Sequence, residues 1–405
     1  MPMEKVGTKM IRIIVRRYYS LIFLVLLTAC STAPERNASS DSESINPLNV
    51  PGLRFWDEHI SDIENYDMHF ERESLYRYKA DNKEINHLAL SGGGVNGAFS
   101  AGILNAWTEQ GTRPTFDVVT GVSTGAIVSV FAFLGSDYDE ALKHYYTETS
   151  MDEMFKRNYL FQLSSRKSIV NTSGFEKKVR SAINKDMMEK IAHERSKGRI
   201  LIIATTNLDN EKMALWDIGR IAQVGSLEAQ VLIQDIVIAS SSIPGAFPAK
   251  LIQLTSDGTH YDELHVDGGV SRQVFLIPQW MQNSSVISGF SQNVYVIRNG
   301  SLKPNFSEVS NSISSVSSRS LATLTRRQGV GDVEYIFRYS QSHEMEFNLA
   351  HIDDDFLGSD LDPLELEYMN SVYEYGFDNM INQTLWLQRP PSLDEQIHFE
   401  PMREL

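Results

Sequence analysis

Cysteine is almost absent from this 405-residue chain, with Cys30 as its single copy. One cysteine excludes an intrachain disulfide framework and a cysteine-cluster metal site. Positive charge is also scarce: 37 Lys and Arg stand against 52 Asp and Glu, a formal net charge of −15. That balance argues against general nucleic-acid binding, which needs a basic footprint. A long hydrophobic run is missing too, since the uncharged stretch around Leu21–Leu27 falls short of the about 20 apolar residues that span a bilayer. What is present is ordinary for a folded protein, 42% hydrophobic and 22% charged, which excludes a disordered or collagen-like chain. The length admits two or three domains or one large α/β domain.

The position of Cys30 is informative. Residues 1–29 carry Lys5, Lys9, Arg12, Arg16 and Arg17 against the single acid Glu4, then the apolar run, then Thr28 and Ala29. A basic start, a short apolar stretch and small residues before a break describe a secretory signal peptide over 1–29. Leu27-Thr28-Ala29-Cys30 resembles the lipobox of bacterial lipoproteins, in which the cysteine becomes the lipidated N-terminus. An uncleaved signal anchor with an incidental cysteine is the alternative. Cleavage leaves 32 bases and 51 acids, a net −19, so attachment to the bacterial cell envelope would rest on acyl chains rather than on charge. Ser31 after the cysteine resembles the default outer-membrane sorting pattern.

Residues 30–51, rich in Ser, Asn and Pro, read as a flexible tether, with order expected from about Leu53. One domain is expected over 52–390, followed by a tail over 391–405. From residue 85 apolar strands alternate with helical stretches, the pattern of an α/β fold with a mostly parallel central sheet flanked by helices. Strands are expected at Ile85–Leu90, Phe116–Val119, Ile200–Ala204 (central, because apolar on both faces), Leu264–Val266 and Val294–Ile297. Phe99, Ile103 and Trp107 mark one helix face, and further helices are expected at Ala126–Leu134, over 230–240 and from about Met369, with Val372 and Tyr375 inward. Ile313, Val316, Leu321 and Leu324 recur at near-helical spacing within a Ser-rich stretch. The acidic run Asp353-Asp354-Asp355 lacks the spaced ligands and loop glycine of a calcium site and reads as a solvated loop.

Three short motifs carry chemistry. Gly121-Val122-Ser123-Thr124-Gly125 is a G-x-S-x-G between strand and helix, a turn that projects a serine at the sheet edge. Its flanking glycines suit a crowded turn, and the following helix aims its N-terminal dipole at the serine. Gly92-Gly93-Gly94-Val95-Asn96-Gly97 also joins a strand to a helix, where consecutive glycines let backbone N–H groups converge on an anion. A dinucleotide cradle would want an acid at the end of the second strand, but Asp117 lies inside a short strand leading straight to the serine turn. An oxyanion hole serves the same geometry better; Gly97 and Gly102 also fit a plain packing role. Asp267-Gly268-Gly269 follows a strand and by itself is an ordinary turn, though it falls where α/β sites gather.

Together, and in this order, the three motifs resemble those of the patatin-like phospholipases. A fourth match is Ala239-Ser240-Ser241-Ser242-Ile243-Pro244-Gly245-Ala246-Phe247-Pro248, and the resemblance covers roughly 85–300. It implies a catalytic dyad without histidine: Ser123 as nucleophile, Asp267 as proton acceptor, and N–H groups around Gly93 and Gly94 holding the oxyanion, with no metal and no cofactor. The implied substrate is a phospholipid or other lipid ester, and the implied membrane contact runs through the N-terminal lipid anchor. Asn96 departs from the family, where Arg or Lys commonly follows the glycines. A carboxylate base at neutral pH requires burial to raise its pKa.

Two other readings remain open in the sequence. A Ser-Asp-His esterase is compatible with chain order, because His343, His351 and His398 follow Asp267. A non-catalytic lipid-binding envelope lipoprotein would keep the fold without the reaction.

Overall fold

A computed structural model describes residues 36–57, 84–149, 154, 156–157, 170–276 and 290–393. The signal segment 1–29, Cys30 and His398 lie outside the described residues.

The alternating pattern folds as expected, into a nine-stranded sheet with helices on both faces. In chain order the strands are β1 (Arg54–Trp56), β2 (Glu84–Leu90), β3 (Val118–Val122), β4 (Ile200–Asn207), β5 (Lys212–Asp217), β6 (Lys250–Ser256), β7 (Thr259–Asp267), β8 (Ser291–Arg298) and β9 (Glu346–His351). Spatially they run β1-β5-β4-β3-β2-β8-β9, and β7 joins β4 while β6 pairs β7. The centre, β4-β3-β2-β8-β9, is parallel; the β1, β5, β6 and β7 pairings are antiparallel.

Strand periodicity sorts the core onto two faces. On β2, Leu88 and Leu90 join the larger cluster and Ala89 the opposite one. The larger side is covered by α1 (Gly97–Glu109), α2 (Thr124–Leu134) and α3 (Leu227–Ser240). The second cluster is closed by Val330, Val333 and Ile336 of α4 (Ile313–Ser342). A last helix, α5 (Leu366–Ile381), lies along α1 with Val372 fully buried and Tyr375 partly so. Gly376 sets this approach, since a Cβ there would stand 2.5 Å from the Phe99 carbonyl oxygen, and Gly102 does the same against Tyr373.

Several local expectations shift. The second strand is Val118–Val122, so β3 runs directly into Ser123. The near-helical spacing after 313 is a helix, but one of 30 residues that runs on to Ser342; the apolar positions that announced it are exposed. β1, β5, β6 and β9 have no counterpart among the expected strands. The tether expected over 30–51 is bound from Arg36 onward. Arg36 bridges Asp209 (2.7 Å) and Asp262 (2.6 Å), Ile45 is buried, and Pro47–Asn49 forms a 3-10 turn. The polar composition that mimics a linker makes side-chain bonds here instead, and Arg36 holds the Asp209 carboxyl below its usual range. The Asp353–Asp355 loop is tied down by Lys303, 2.7 Å from Asp353, and by the Tyr375 hydroxyl, which bonds Asp355.

Because Gly102 meets α5 backbone rather than a movable side chain, Gly102→Leu is expected to lower unfolding free energy by about 2–3 kcal/mol, read as a reduced urea midpoint with unchanged slope.

Candidate active site

The strand that brings the aspartate does not run with the parallel set. β5 occupies one edge of β4 from Ile202 to Asn207. On the other edge β3 pairs as far as Val122 with Ala204, and β7 takes over antiparallel, ending with Asp267 opposite Thr205. Two strands thus meet end to end along one edge of β4, and the residues at the junction are Ser123 and Asp267. The Ser123 hydroxyl donates to Asp267 Oδ2 at 2.6 Å.

Ser123 has φ 55° and ψ −124°, a left-handed conformation that side chains with a Cβ rarely adopt. Backbone strain of this kind persists only where the surroundings enforce it. Gly121 and Gly125 make the turn possible: a Cβ on Gly121 would lie 2.5 Å from the Gly125 carbonyl oxygen, and one on Gly125 would lie 2.7 Å from that of Ser91. α2 begins at Thr124, so its positive end abuts the serine.

Asp267 is nearly fully buried, and desolvation pushes its carboxyl up to about 6 despite the Ser123 and Gly269 bonds that oppose the rise. Gly269 N–H donates to Oδ1 at 2.7 Å, so each carboxylate oxygen has one partner. Gly268 lets the turn lie on β4, where a Cβ would stand 2.6 Å from the Ala204 carbonyl oxygen. The Thr206 hydroxyl donates to the Asp267 carbonyl at 3.0 Å, latching the strand end.

The glycine loop lies beside the serine, with a notional Cβ of Gly92 3.2 Å from Ser123 Cβ. Its amides are not equivalent. Gly92 N–H is committed to the Gln273 carbonyl at 3.0 Å. The Gly92 carbonyl accepts from Arg298 Nη1 at 2.5 Å and from the Ser91 hydroxyl at 2.7 Å. In a planar trans peptide the Gly93 N–H then points away from Arg298. Gly94 takes φ 59° and opens a short 3-10 turn. Among the described residues, neither the Gly93 nor the Gly94 amide donates to a protein acceptor. Gly97 belongs to packing: a Cβ would collide with Thr124 and Tyr146. Asn96, the departure from the family pattern, accepts from the Tyr368 hydroxyl at 2.8 Å and is thereby tied to α5.

Sequence reasoning names the segment Ala239–Pro248 without giving it a task; its task is mechanical. Ser240 Oγ accepts from Ser123 N–H at 2.9 Å, and the Ser242 carbonyl accepts from Asp267 N–H at 3.0 Å. One turn at the end of α3 therefore holds both junction residues. Arg298, Asn299, Gln273 and Asp332 have no sequence signal beyond lying at strand ends or in α4. Asn299 N–H and Nδ2 grip Ser91 at 2.8 and 2.9 Å. Asp332 accepts from Gln273 N–H at 2.7 Å, and Gln273 Nε2 reaches the Gly269 carbonyl at 2.8 Å, coupling the glycine loop to the aspartate turn.

Among the described residues, no histidine is part of this cluster. His265 bonds Thr205 and Glu263. His343 is exposed against Tyr339. His351 ends β9, three strand spacings or about 14 Å from β3. A cavity of about 270 Å³ is lined by Phe175, Ile238, Ser241 and Phe247 among others; Ser123 and Asp267 do not line it.

The site is thus a strained serine turn on a mixed α/β sheet, hydrogen-bonded to a buried carboxylate. Residues 88–278 match the model of the patatin-like phospholipase family, and the chain carries a patatin-like phospholipase domain. No curated protein matches it in sequence. Among solved structures it is similar to VipD from Legionella pneumophila, at 11% identity and a TM-score of 0.37, covering 74% of this chain and 67% of that one. It is also similar to human GIVD cytosolic phospholipase A2, at 9% identity and a TM-score of 0.28, covering 80% of this chain and 56% of that one.

A carboxyl whose folded pKa is raised stabilises the fold only below its unfolded value, near 3.8, and that contribution is lost as pH rises through about 6. Asp267→Asn is therefore expected to be more stable than wild type at pH 8, by up to roughly 3 kcal/mol, with the gap closing toward pH 4. Urea unfolding across that range measures it.

Proposed function

We propose that this chain is a lipid acyl hydrolase of the phospholipase A or lysophospholipase type, cleaving carboxyl esters through Ser123 and Asp267. The observation that carries this reading is the direct 2.6 Å hydrogen bond from the Ser123 hydroxyl to the buried Asp267 carboxylate. The patatin-like phospholipase domain supports lipid-ester hydrolysis in general; the dyad and its intermediate are our inference from the geometry.

Asp267, raised to about 6, is ionised at neutral pH yet more basic than an ordinary carboxylate. It takes the Ser123 proton as Oγ attacks the ester carbonyl. The developing oxyanion is met by the Gly93 and Gly94 amides, because Gly92 N–H and Ser123 N–H are already spent on Gln273 and Ser240. Asp267 then returns the proton to the departing alcohol, leaving an acyl ester on Ser123. Water, deprotonated by the same carboxylate, releases the fatty acid.

A Ser-Asp-His triad draws no support from this arrangement, since the carboxylate bonds the serine itself and its second oxygen is occupied by Gly269. Lipid attachment at Cys30 and an outer-membrane location belong to the same proposal and rest on sequence alone: the basic, apolar start, the lipobox-like Leu27–Cys30 and Ser31 after it.

Ser123→Ala and Asp267→Asn are each expected to reduce ester turnover by about 10³-fold or more, while His343→Ala, His351→Asn and His398→Ala keep most of it. Because the base must be ionised, wild-type kcat/KM should rise with pH through about 6 and level above it. Lipid profiling of wild type against Ser123→Ala identifies the substrate; equal turnover by the two sinks the proposal. Independently, wild-type cells should incorporate labelled palmitate into this protein, and Cys30→Ala should not.

A further inference from the structure

The first half of α4 is built the wrong way round for a helix in water. At 3.6 residues per turn, Ile313, Val316, Leu321 and Leu324 fall within an arc of about 140°. They are 90%, 46%, 53% and 67% exposed, and Phe306, just before the helix, is 96% exposed. On the opposite side two half-buried arginines hold the helix to the preceding segment: Arg319 Nη2 donates to the Asn305 carbonyl at 2.6 Å and Arg326 Nη1 to that of Leu302 at 3.2 Å. A contiguous apolar stripe left in solvent marks a surface that something else covers.

Charge selects the occupant. Over residues 304–327 there are three arginines, 319, 326 and 327, and one acid, Glu308, in a chain whose net charge is −15. Of the three, Arg327 falls inside the apolar arc; the like-charged segment of a second copy would repel this basic segment, whereas anionic lipid head groups would meet it favourably. The position is equally telling. Gln328, one turn beyond Leu324 on the same side, donates to the Ser271 carbonyl at 2.5 Å, in the turn that follows Asp267. Val270 in that turn is 48% exposed. The stripe therefore leads straight to the candidate site.

We propose that Phe306 and the Ile313–Arg327 half of α4 form an interfacial arm that lies on an anionic phospholipid surface and sets the Ser123–Asp267 site against it. This rests on the lipid-hydrolase reading for its purpose, though not for its chemistry. A helix with an exposed apolar stripe and an arginine on the same face, here Arg327, binds in the plane of the head groups rather than across the bilayer. Among the described residues no helix is long and apolar enough to cross one.

The test uses the full chain with Cys30→Ser, so that no acyl chain tethers it, with and without Ser123→Ala. Vesicles of phosphatidylcholine containing phosphatidylglycerol are expected to slow amide hydrogen exchange over 313–327. Ile313→Ser/Leu321→Ser/Leu324→Ser should partition to them at least about tenfold more weakly, with hydrolysis of a soluble short-chain nitrophenyl ester unchanged. Arg327→Gln should narrow the preference over pure phosphatidylcholine vesicles. Exchange over 313–327 that vesicles leave unaltered overturns the proposal. So does a lipid-free dimer that the triple variant dissociates, because the stripe would then belong to a second copy. Binding without ester turnover removes the hydrolase reading and leaves the arm; turnover of the soluble ester without binding does the reverse.

Discussion

The structure depends on one junction, where β3 and β7 run into each other along a single edge of β4. Neither strand can be extended by a residue without displacing the other, so both must turn at once. The serine turn solves this on one side with a positive-φ residue flanked by glycines. The Asp-Gly-Gly turn solves it on the other by lying flat on β4. A hydroxyl and a carboxylate end up in direct contact, both largely buried. Burial of the carboxylate follows from position in the sheet and needs no dedicated hydrophobic pocket.

The remainder of the molecule reads as support for that junction. Ser240 and the Ser242 carbonyl clamp the two backbones from the end of α3. Arg298 and Asn299, at the end of β8, fix the glycine loop by its carbonyls and leave two amides free to donate. Arg298 is fully enclosed and its pKa is lowered to about 10 by burial, so it still carries its charge at neutral pH. Gln273 and Asp332 tie the loop to the aspartate turn. Apart from the local Gln273–Gly269 bond, these contacts join different elements, which makes the site a property of the whole sheet.

Much of this was legible in the residue order. Gly121–Gly125, Gly92–Gly94 and Asp267–Gly269 mark positions where a backbone must turn tightly or approach another closely, and glycine at such positions leaves a local signature. Strand and helix periodicity placed β2, β4, β8, α1, α2 and α3 because each buries one face or both. The failures have local causes as well. Residues 36–51 look like a linker because their anchoring is ionic and polar, and composition cannot tell a hydrogen-bonded strap from a solvated one. The apolar spacing at 313–324 correctly gives a helix yet says nothing about which side faces the protein.

By itself the sequence determined the local geometry: where the chain turns, which short segments are strands, and which serine sits on a strained corner. Those follow from steric rules that act over a few residues. Only the tertiary structure decided that β7 arrives antiparallel, that Asp267 rather than a histidine faces Ser123, that Gly92 and Gly97 are spent on structure, and that half of α4 is left apolar and exposed. Strand pairing and burial are set by contacts between distant segments, and no window of sequence contains both partners.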